Sequence, residues 1–213
     1  IASQDHKRIF DGDKGANTGG MGTYAPAPVL TDALRDEAMK TILEPMVAAM
    51  EKEGMPYVGC LYAGLMITDE GPKVVEFNAR FGDPETQVVL PLLDGDLGEI
   101  MMACATGTLT ADMVKWKDSS AACVILASKG YPETSSKGDV ISGDIKQYDT
   151  TIVFHSGTKL VGENYVTNGG RVLGVVGLGK DLRTALDRAY GRIEHIDFEG
   201  MQYRTDIGAK AFK

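Results

Sequence analysis

Residues 76–85 read Glu-Phe-Asn-Ala-Arg-Phe-Gly-Asp-Pro-Glu, and this segment predicts a buried strand that ends in a sharp turn. Successive side chains of an extended strand point to opposite faces of the sheet. Glu76, Asn78 and Arg80 therefore share one face. The apolar residues that alternate with them point to the other face, which we expect to be core: Val75, Phe77 and Ala79.

The polar face of this strand predicts a metal site. Two residues apart, the Glu76 carboxylate and the Asn78 amide have Cα atoms about 7 Å from each other, so their oxygens can share one hard cation. Magnesium prefers oxygen ligands and keeps substrate phosphates in its shell. Arg80 adds a fixed cation suited to phosphate or carboxylate. From spacing alone, an edge strand with a solvated polar face explains the pattern equally well.

A glycine-rich segment near the start of the chain predicts a ligand-binding loop. Residues 11–22 contain five glycines, and Asn17 and Thr18 precede a glycine pair. Backbone amides of such a segment can approach a ligand closely because no Cβ intervenes. A flexible surface turn is the alternative for an isolated glycine-rich stretch. We favour the binding loop because it follows the polar segment Asp-His-Lys-Arg at residues 5–8.

Apolar periodicity predicts two helices in the first half of the chain. One is expected to have Asp32 as its N-cap, to be divided by Pro45 and to end at Gly54. The other has Asp96 as its N-cap and ends at Gly107.

The polar strand itself is expected to form half of a hairpin. Strands over 57–68 and 73–78 are joined by the turn sequence Asp-Glu-Gly-Pro. After the second strand, Asp83 is expected to cap a short helix, with Pro84 at the first helical position.

The second half of the chain alternates short strands with glycine turns and ends in a helix. A polar stretch over 109–118 marks a boundary. Strands are predicted over 121–127, 152–155 and 171–178. The last helix follows the N-cap Asp181 and carries one apolar stripe.

Composition excludes several classes of function. The 213 residues carry a net charge of -8, which argues against a nucleic-acid or anionic-membrane surface. No apolar run approaches the length of a membrane span. The three cysteines are widely spaced and form no Cys-x-x-Cys pair, so buried thiols in a reducing compartment are expected. These features predict a cytoplasmic protein.

Residues 76–85, taken together with five further motifs, resemble the glycinamide ribonucleotide synthetases, which are ATP-grasp enzymes. The resemblance runs from the first residue to the last, and the motifs come in the family's order. Ala16 is a departure, because the family pattern leads us to expect proline there. The five motifs are Gln4–Arg8, Asn17–Gly22, Leu61–Met66, Lys129–Pro132 and Thr167–Gly174.

The resemblance implies an α+β fold with two parts. Residues 1–109 would be the C-terminal part of an ATP-grasp domain, an antiparallel sheet with helices. Residues 110–213 would be a small mixed α/β C-terminal domain. The family carries an N-terminal domain and an ATP lid upstream, so we expect the chain to be the C-terminal half of the enzyme. We expect it to need its missing N-terminal half and to be inactive alone.

The implied reaction is the ATP-dependent ligation of glycine to 5-phosphoribosylamine in purine biosynthesis. Its products would be glycinamide ribonucleotide, ADP and phosphate. By this resemblance Glu76 and Asn78 would hold Mg²⁺ or Mn²⁺ at the ATP phosphates. Arg80 and Asp83 would be catalytic: Arg80 would stabilise the transferred phosphoryl group, and Asp83 would bind the ammonium group of glycine or the attacking amine.

The resemblance also implies substrate-binding residues at two places. One set would line the pocket for glycine and ribose: Asp5, Asn17, Thr18, Gly19, Gly20 and Gly22. Lys159 and Arg171 would bind the 5-phosphate of phosphoribosylamine. Two other interpretations stay open, namely another ATP-grasp ligase of purine synthesis and a phosphosugar-binding fragment without catalysis.

Overall fold

The structure is a computed structural model that describes residues 1–212. Thirteen strands, five α-helices and four short π or 3₁₀ segments lie within this range. The strands are β1 (Gln4–Asp5), β2 (Arg8–Phe10), β3 (Lys14–Asn17), β4 (Gly22–Ala25), β5 (Tyr62–Thr68), β6 (Gly71–Asn78), β7 (Ser120–Ala127), β8 (Ser142–Gly143), β9 (Thr151–His155), β10 (Thr158–Val161), β11 (Asn164–Thr167), β12 (Arg171–Gly179) and β13 (Ile196–Asp197). The helices are α1 (Asp32–Ala38), α2 (Glu44–Lys52), α3 (Thr86–Val89), α4 (Leu97–Thr106) and α5 (Leu182–Ile193), with a π segment at Met39–Leu43 and 3₁₀ turns at Leu90–Leu92, Ala111–Met113 and Ala209–Phe212.

The described chain folds as two compact units. The first contains residues 1–26, 83–92 and the chain from residue 117 onward, and the second contains residues 27–82 and 93–116. Sheets and helices are segregated and the strand pairs are antiparallel, so the predicted α+β class is confirmed. The predicted division after residue 109 stays a prediction.

A five-stranded antiparallel sheet forms the centre of the first unit, in the order β1-β4-β7-β12-β9. The predicted strands at 121–127, 152–155 and 171–178 are confirmed as β7, β9 and β12. All eight residues of β7 are buried. This explains the continuous apolar sequence of β7, because a strand covered on both faces shows no polar alternation.

Helix α5 covers one face of this sheet. Its N-cap is Asp181, whose carboxylate accepts the Thr184 N–H at 2.8 Å, as the sequence predicts. The predicted apolar stripe is buried against β7 and β12. Gly177 in β12 lets the helix approach, because a Cβ at this position would lie 2.0 Å from the Ala185 carbonyl oxygen.

The other face of the sheet is covered by the short segment around α3. Val88 and Leu92 pack there against β7 and β12. The prediction of Asp83 as an N-cap is wrong, since α3 begins at Thr86 with Glu85 in the cap position. Residues 83–85 form a turn, and the Asp83 side chain bonds across the first unit instead of capping.

The second unit contains α1, α2 and α4. Thr31 is the N-cap of α1 and accepts the Leu34 N–H at 3.3 Å, so the prediction of Asp32 in this role is wrong by one residue. The π segment ahead of Pro45 divides α1 from α2, as expected where proline removes a backbone donor.

The second helix of this unit agrees with the sequence pattern. Asp96 caps α4 by accepting the Glu99 N–H at 3.1 Å, and Gly107 ends the helix in the left-handed conformation. No helix within residues 1–212 is both long enough and apolar enough to cross a membrane.

The predicted hairpin of the second unit is present as β5 and β6, paired antiparallel. Strand β5 begins at Tyr62, five residues later than predicted. The expectation that Val75 lies in a core is wrong, because it is 65% exposed, and Ala79 is also exposed. Two strands alone offer little surface to bury an apolar face.

Two glycine substitutions test the packing of α5. Gly177→Ala should lower the free energy of unfolding by about 1 to 3 kcal/mol or more, because the new methyl overlaps the helix backbone. The matched control is Gly191→Ala within α5, where a Cβ meets nothing within 4 Å. This control should be neutral or stabilising by up to about 1 kcal/mol, because alanine favours helix. Urea unfolding measures both, and equal effects would contradict the packing described here.

Candidate functional site

Asp83 lies where three segments of the first unit meet. Its Oδ1 accepts a hydrogen bond from Gln87 Nε2 at 2.9 Å, and its Oδ2 accepts one from Arg171 Nη2 at 3.0 Å. The side chain is nevertheless 49% exposed. Asp83 is therefore a carboxylate of fixed orientation that a ligand can reach.

Arg171 connects this carboxylate to the glycine-rich loop. Its Nη1 donates to the Gly19 carbonyl at 2.9 Å and to the Asp83 carbonyl at 3.0 Å. The Arg171 side chain is 21% exposed, so most of its surface is covered. A planar fork of donors is suited to several acceptors at once, and here it joins the start of β12 to both neighbouring segments.

The glycine-rich loop is held in place by its own amide groups. Four successive backbone N–H groups donate to protein oxygens, so the loop is an ordered structure and differs from a flexible turn. A ligand at this loop would meet its side chains and carbonyl groups. The four bonds are Thr18 N to Lys7 O at 2.8 Å, Gly19 N to Tyr131 Oη at 2.8 Å, Gly20 N to Thr18 Oγ1 at 2.9 Å and Met21 N to His6 O at 2.8 Å.

Close packing explains why Gly20 and Gly22 are glycines. Gly20 has a φ of +118°, and a Cβ there would lie 2.5 Å from Pro84 Cδ and 2.8 Å from Asp5 Oδ1. Gly22 lies buried in β4, where a Cβ would lie 2.7 Å from the Cys123 carbonyl. The loop is thereby pressed against Asp5 on one side and the turn at 83–85 on the other.

Asp5 is a buried carboxylate next to this loop. Its side chain is 9% exposed, and its Oδ2 lies 2.6 Å from Lys7 Nζ. Burial raises the pKa of Asp5 from 3.8 to about 6, and the nearby Lys7 ammonium offsets only part of this effect. The neighbouring His6 N–H donates to Oδ1 at 2.7 Å.

His6 has a structural role. Its ring is buried, with Nδ1 3.1 Å from the Gly22 carbonyl and Nε2 accepting the Gly208 N–H at 3.4 Å. This pairing assigns the proton to Nδ1. Burial lowers the pKa of His6 from 6.5 to about 4, so the ring is neutral at neutral pH.

Two residues that support the site have no role in the sequence predictions. The Tyr131 hydroxyl accepts a hydrogen bond from the Gly19 N–H. The motif that contains Tyr131 supported the family resemblance but gave this residue no predicted role. Arg204 is 1% exposed and anchors the hairpin of β2 and β3 that leads into the loop. It pairs with Asp13 at 2.9 Å and Asp206 at 2.7 Å. The acidic residues at 11 and 13 were the available signal, because carboxylates are frequent partners of arginine.

The predicted metal ligands lie on β6 in the second unit. Glu76 faces Gly64 and Asn78 faces Tyr62 across the hairpin, so both side chains fall on one face. Glu76 is exposed and Asn78 half-buried. Arg80 is exposed and donates to the Phe81 carbonyl at 2.9 Å.

These donors fit a hard divalent cation. A carboxylate and an amide oxygen are the ligand types that Mg²⁺ accepts, and exposure leaves positions for phosphate and water. Within residues 1–212 no group of three or more His, Cys, Asp or Glu side chains could form a metal cage. Glu76 and Asn78 would supply two of the ligands of such a cation.

The first unit brings together five of the predicted site residues: Asp5, Gly19, Gly20, Asp83 and Arg171. Asn17 is exposed at the end of β3. Lys159 is exposed on β10 opposite Val166, while the Arg171 carbonyl pairs with the Gly157 N–H at 2.8 Å. Joint phosphate binding by Lys159 and Arg171 stays a prediction.

Two protein-family models match most of the chain. The ATP-grasp (A) domain of phosphoribosylglycinamide synthetase matches residues 1–86, and the C domain of the same enzyme matches residues 121–210. The chain belongs to the phosphoribosylglycinamide synthetase family. The family resemblance seen in the motifs is confirmed.

Members of the phosphoribosylglycinamide synthetase family align over the whole chain. The phosphoribosylamine–glycine ligase of Caulobacter vibrioides is 53% identical over 215 residues, covering 100% of this chain and 50% of the relative. The crystal structure of the phosphoribosylamine–glycine ligase of Thermotoga maritima superposes with a TM-score of 0.87 at 35% identity, covering 97% of this chain and 51% of that one. The chain spans about half the length of these relatives.

A more distant solved structure is similar to this chain in fold alone. It is the biotin carboxylase domain of a 2-oxoglutarate carboxylase from Hydrogenobacter thermophilus. Its TM-score is 0.61 at 13% identity, covering 86% of this chain and 40% of that one.

Asp5→Asn should change the pH dependence of stability. Between pH 3.8 and about 6 the folded wild type keeps a proton that the unfolded chain has lost, so Asp5 lowers stability as pH rises. Asparagine keeps the acceptor for the His6 N–H and does not titrate. The stability of the variant relative to wild type should therefore increase across this window, by up to about 3 kcal/mol. Urea unfolding from pH 4 to 7 measures this difference. A difference that is constant with pH would contradict it.

Proposed function

We propose that this chain is half of an ATP-dependent ligase that joins glycine to 5-phosphoribosylamine in purine biosynthesis. The observation that carries the proposal is the alignment of the whole chain with a protein named phosphoribosylamine–glycine ligase at 53% identity. The products would be glycinamide ribonucleotide, ADP and phosphate. The proposed location is the cytoplasm, which is compatible with three free cysteines.

The proposed reaction has two steps. A carboxylate oxygen of glycine attacks the terminal phosphorus of ATP, which forms glycyl phosphate and releases ADP. The amine of phosphoribosylamine then attacks the glycyl carbonyl carbon, and phosphate leaves as the amide bond forms. Phosphoryl transfer of this kind requires positioning and charge neutralisation more than a protein nucleophile. Charged side chains such as Arg80 and Asp83 can supply both.

Asp83 is suited to bind an amine. Both of its oxygens are oriented by neighbouring donors, and half of its surface remains accessible. An ammonium group of glycine, or the attacking amine of phosphoribosylamine, can donate to such a carboxylate. The adjacent Asp5 and the loop at Asn17–Gly22 would line the same pocket for glycine and ribose.

The polar face of β6 is suited to bind ATP phosphates. Glu76 and Asn78 would hold Mg²⁺ or Mn²⁺, and Arg80 would contact the transferred phosphoryl group. When bound, the cation would neutralise charge on the phosphates. Lys159 and Arg171 would contribute to binding the 5-phosphate of the second substrate.

The proposed partners are small molecules and the rest of the same enzyme. ATP, glycine and 5-phosphoribosylamine are the substrates, and the net charge of -8 disfavours nucleic acid. Because the ligases in the comparison are about twice as long, the proposal assigns the remaining ATP contacts to the other half.

A coupled assay for ADP tests the proposed function. The full-length protein should release ADP only when glycine and phosphoribosylamine are both present. The 213-residue chain alone should melt cooperatively and release none. Failure of the full-length protein to turn over this substrate pair would contradict the reaction, and turnover by the chain alone would contradict its assignment as one half.

Because the chain spans about half the length of these ligases, a second candidate function is that of a phosphosugar-binding module without catalysis. Calorimetric titration separates the two proposals. A module binds glycinamide ribonucleotide without magnesium-dependent binding of ATP, whereas the full-length ligase should bind both.

Glu76→Gln in the full-length enzyme should lower kcat by about a hundredfold to a thousandfold, because a charged ligand is lost from the proposed metal site. The fold should be unaffected, since Glu76 is exposed. The matched control is Glu70→Gln in the turn of the same hairpin, where Glu70 pairs with Lys73 at 3.1 Å. This control should keep wild-type kinetics. Near-normal activity of Glu76→Gln at saturating magnesium would disprove the metal assignment.

A further inference from the structure

Tyr131 belongs to the motif Lys129–Pro132, which has no part in the proposed function. Its hydroxyl oxygen accepts the Gly19 N–H at 2.8 Å, across 112 residues of sequence. Tyr131 is half-buried, and its ring packs against a small buried cluster that includes Ile9 and Met21.

The glycines ahead of Arg171 accommodate this tyrosine. A Cβ at position 170 would lie 2.2 Å from Cδ2 of the Tyr131 ring, so the ring passes over a position where only glycine fits. Beside it, Ser128 Oγ donates to the Gly169 carbonyl at 2.9 Å. The motif around Tyr131 and the glycine pair before Arg171 therefore form one packed unit.

A continuous set of hydrogen bonds leads from Tyr131 to Asp83. Gly19 is held on both sides: its N–H donates to Tyr131, and its carbonyl accepts from Arg171 at 2.9 Å. Arg171 in turn donates to the Asp83 carboxylate at 3.0 Å. Each member of this set has its next partner within hydrogen-bond distance.

We infer that Tyr131 is a positioning residue for Asp83, acting through the Gly19 backbone and the Arg171 guanidinium. This inference rests on the proposed function for its kinetic consequence. The tyrosine hydroxyl fixes the Gly19 residue, the Gly19 carbonyl fixes one edge of the guanidinium, and the guanidinium orients the carboxylate that receives an amine. Tyr131 does not itself need to touch the substrate.

Tyr131→Phe isolates the hydroxyl, because phenylalanine keeps the ring and its packing over Gly170. The first measurement is hydrogen exchange of the Gly19 amide in this chain, followed by NMR. Loss of one hydrogen bond should speed this exchange about threefold to tenfold. The control is Tyr203→Phe, whose hydroxyl makes no hydrogen bond within the described residues. Unchanged Gly19 exchange in Tyr131→Phe would overturn the inference.

The second measurement uses steady-state kinetics of the full-length enzyme. Tyr131→Phe should raise the KM of the same amine substrate whose KM is raised by Asp83→Asn, by about threefold to tenfold. The KM for ATP should not change, and Tyr203→Phe should match wild type. Wild-type constants in Tyr131→Phe, or an equal loss for all substrates, would overturn the inference. If the wild-type enzyme lacks the ligase activity, the proposed function fails. The exchange measurement then still tests whether the Tyr131 hydroxyl bonds the Gly19 N–H.

Discussion

The guanidinium of Arg171 is the interaction on which the candidate site of the first unit depends. It bonds the Gly19 carbonyl, the Asp83 carbonyl and the Asp83 carboxylate, three acceptors from segments that are distant in sequence. A hydrogen bond to a charged group contributes about 1.5 to 3 kcal/mol, so three on one side chain strongly favour a single arrangement. Gly20 then fits against Pro84 and Asp5 because this arrangement holds the loop close. This packing holds the Asp83 carboxylate in an accessible position.

Local sequence patterns predict the central elements well and the Asp83 turn poorly. Strands β7 and β12 and helix α5 follow from apolar runs and from a cap at Asp181, which are signals within a few residues. The Asp83-Pro84 sequence is a cap signal of the same local kind, yet the side chain bonds to Arg171, 88 residues away. A local rule fails where a distant cation competes for the same carboxylate.

The candidate site shows the same limit. Residue types and the family resemblance indicate Asp5, Gly19, Gly20, Asp83 and Arg171, which the first unit brings together. Tyr131 and Arg204 escape prediction because their roles depend on contacts 112 and 191 residues distant. The exposed Val75 has another cause: it lies at a register shift of the hairpin, between Val74, which pairs with Leu65, and Glu76, which pairs with Gly64. Residue alternation alone predicts neither such a shift nor whether a second layer covers the apolar face.

A double-mutant cycle between Arg171 and Asp83 tests most directly whether Arg171 acts through Asp83. The variants are Arg171→Ala, Asp83→Asn and the double substitution in the full-length enzyme. The readout is kcat/KM for glycine, which carries no phosphate, at saturating phosphoribosylamine, with unfolding curves to establish that each variant is folded. If the guanidinium works by orienting the carboxylate, the double variant should lose no more than Asp83→Asn alone, within about twofold, because contacting groups are not additive. Losses that multiply would show that Arg171 affects the use of glycine independently of Asp83, and would contradict this account.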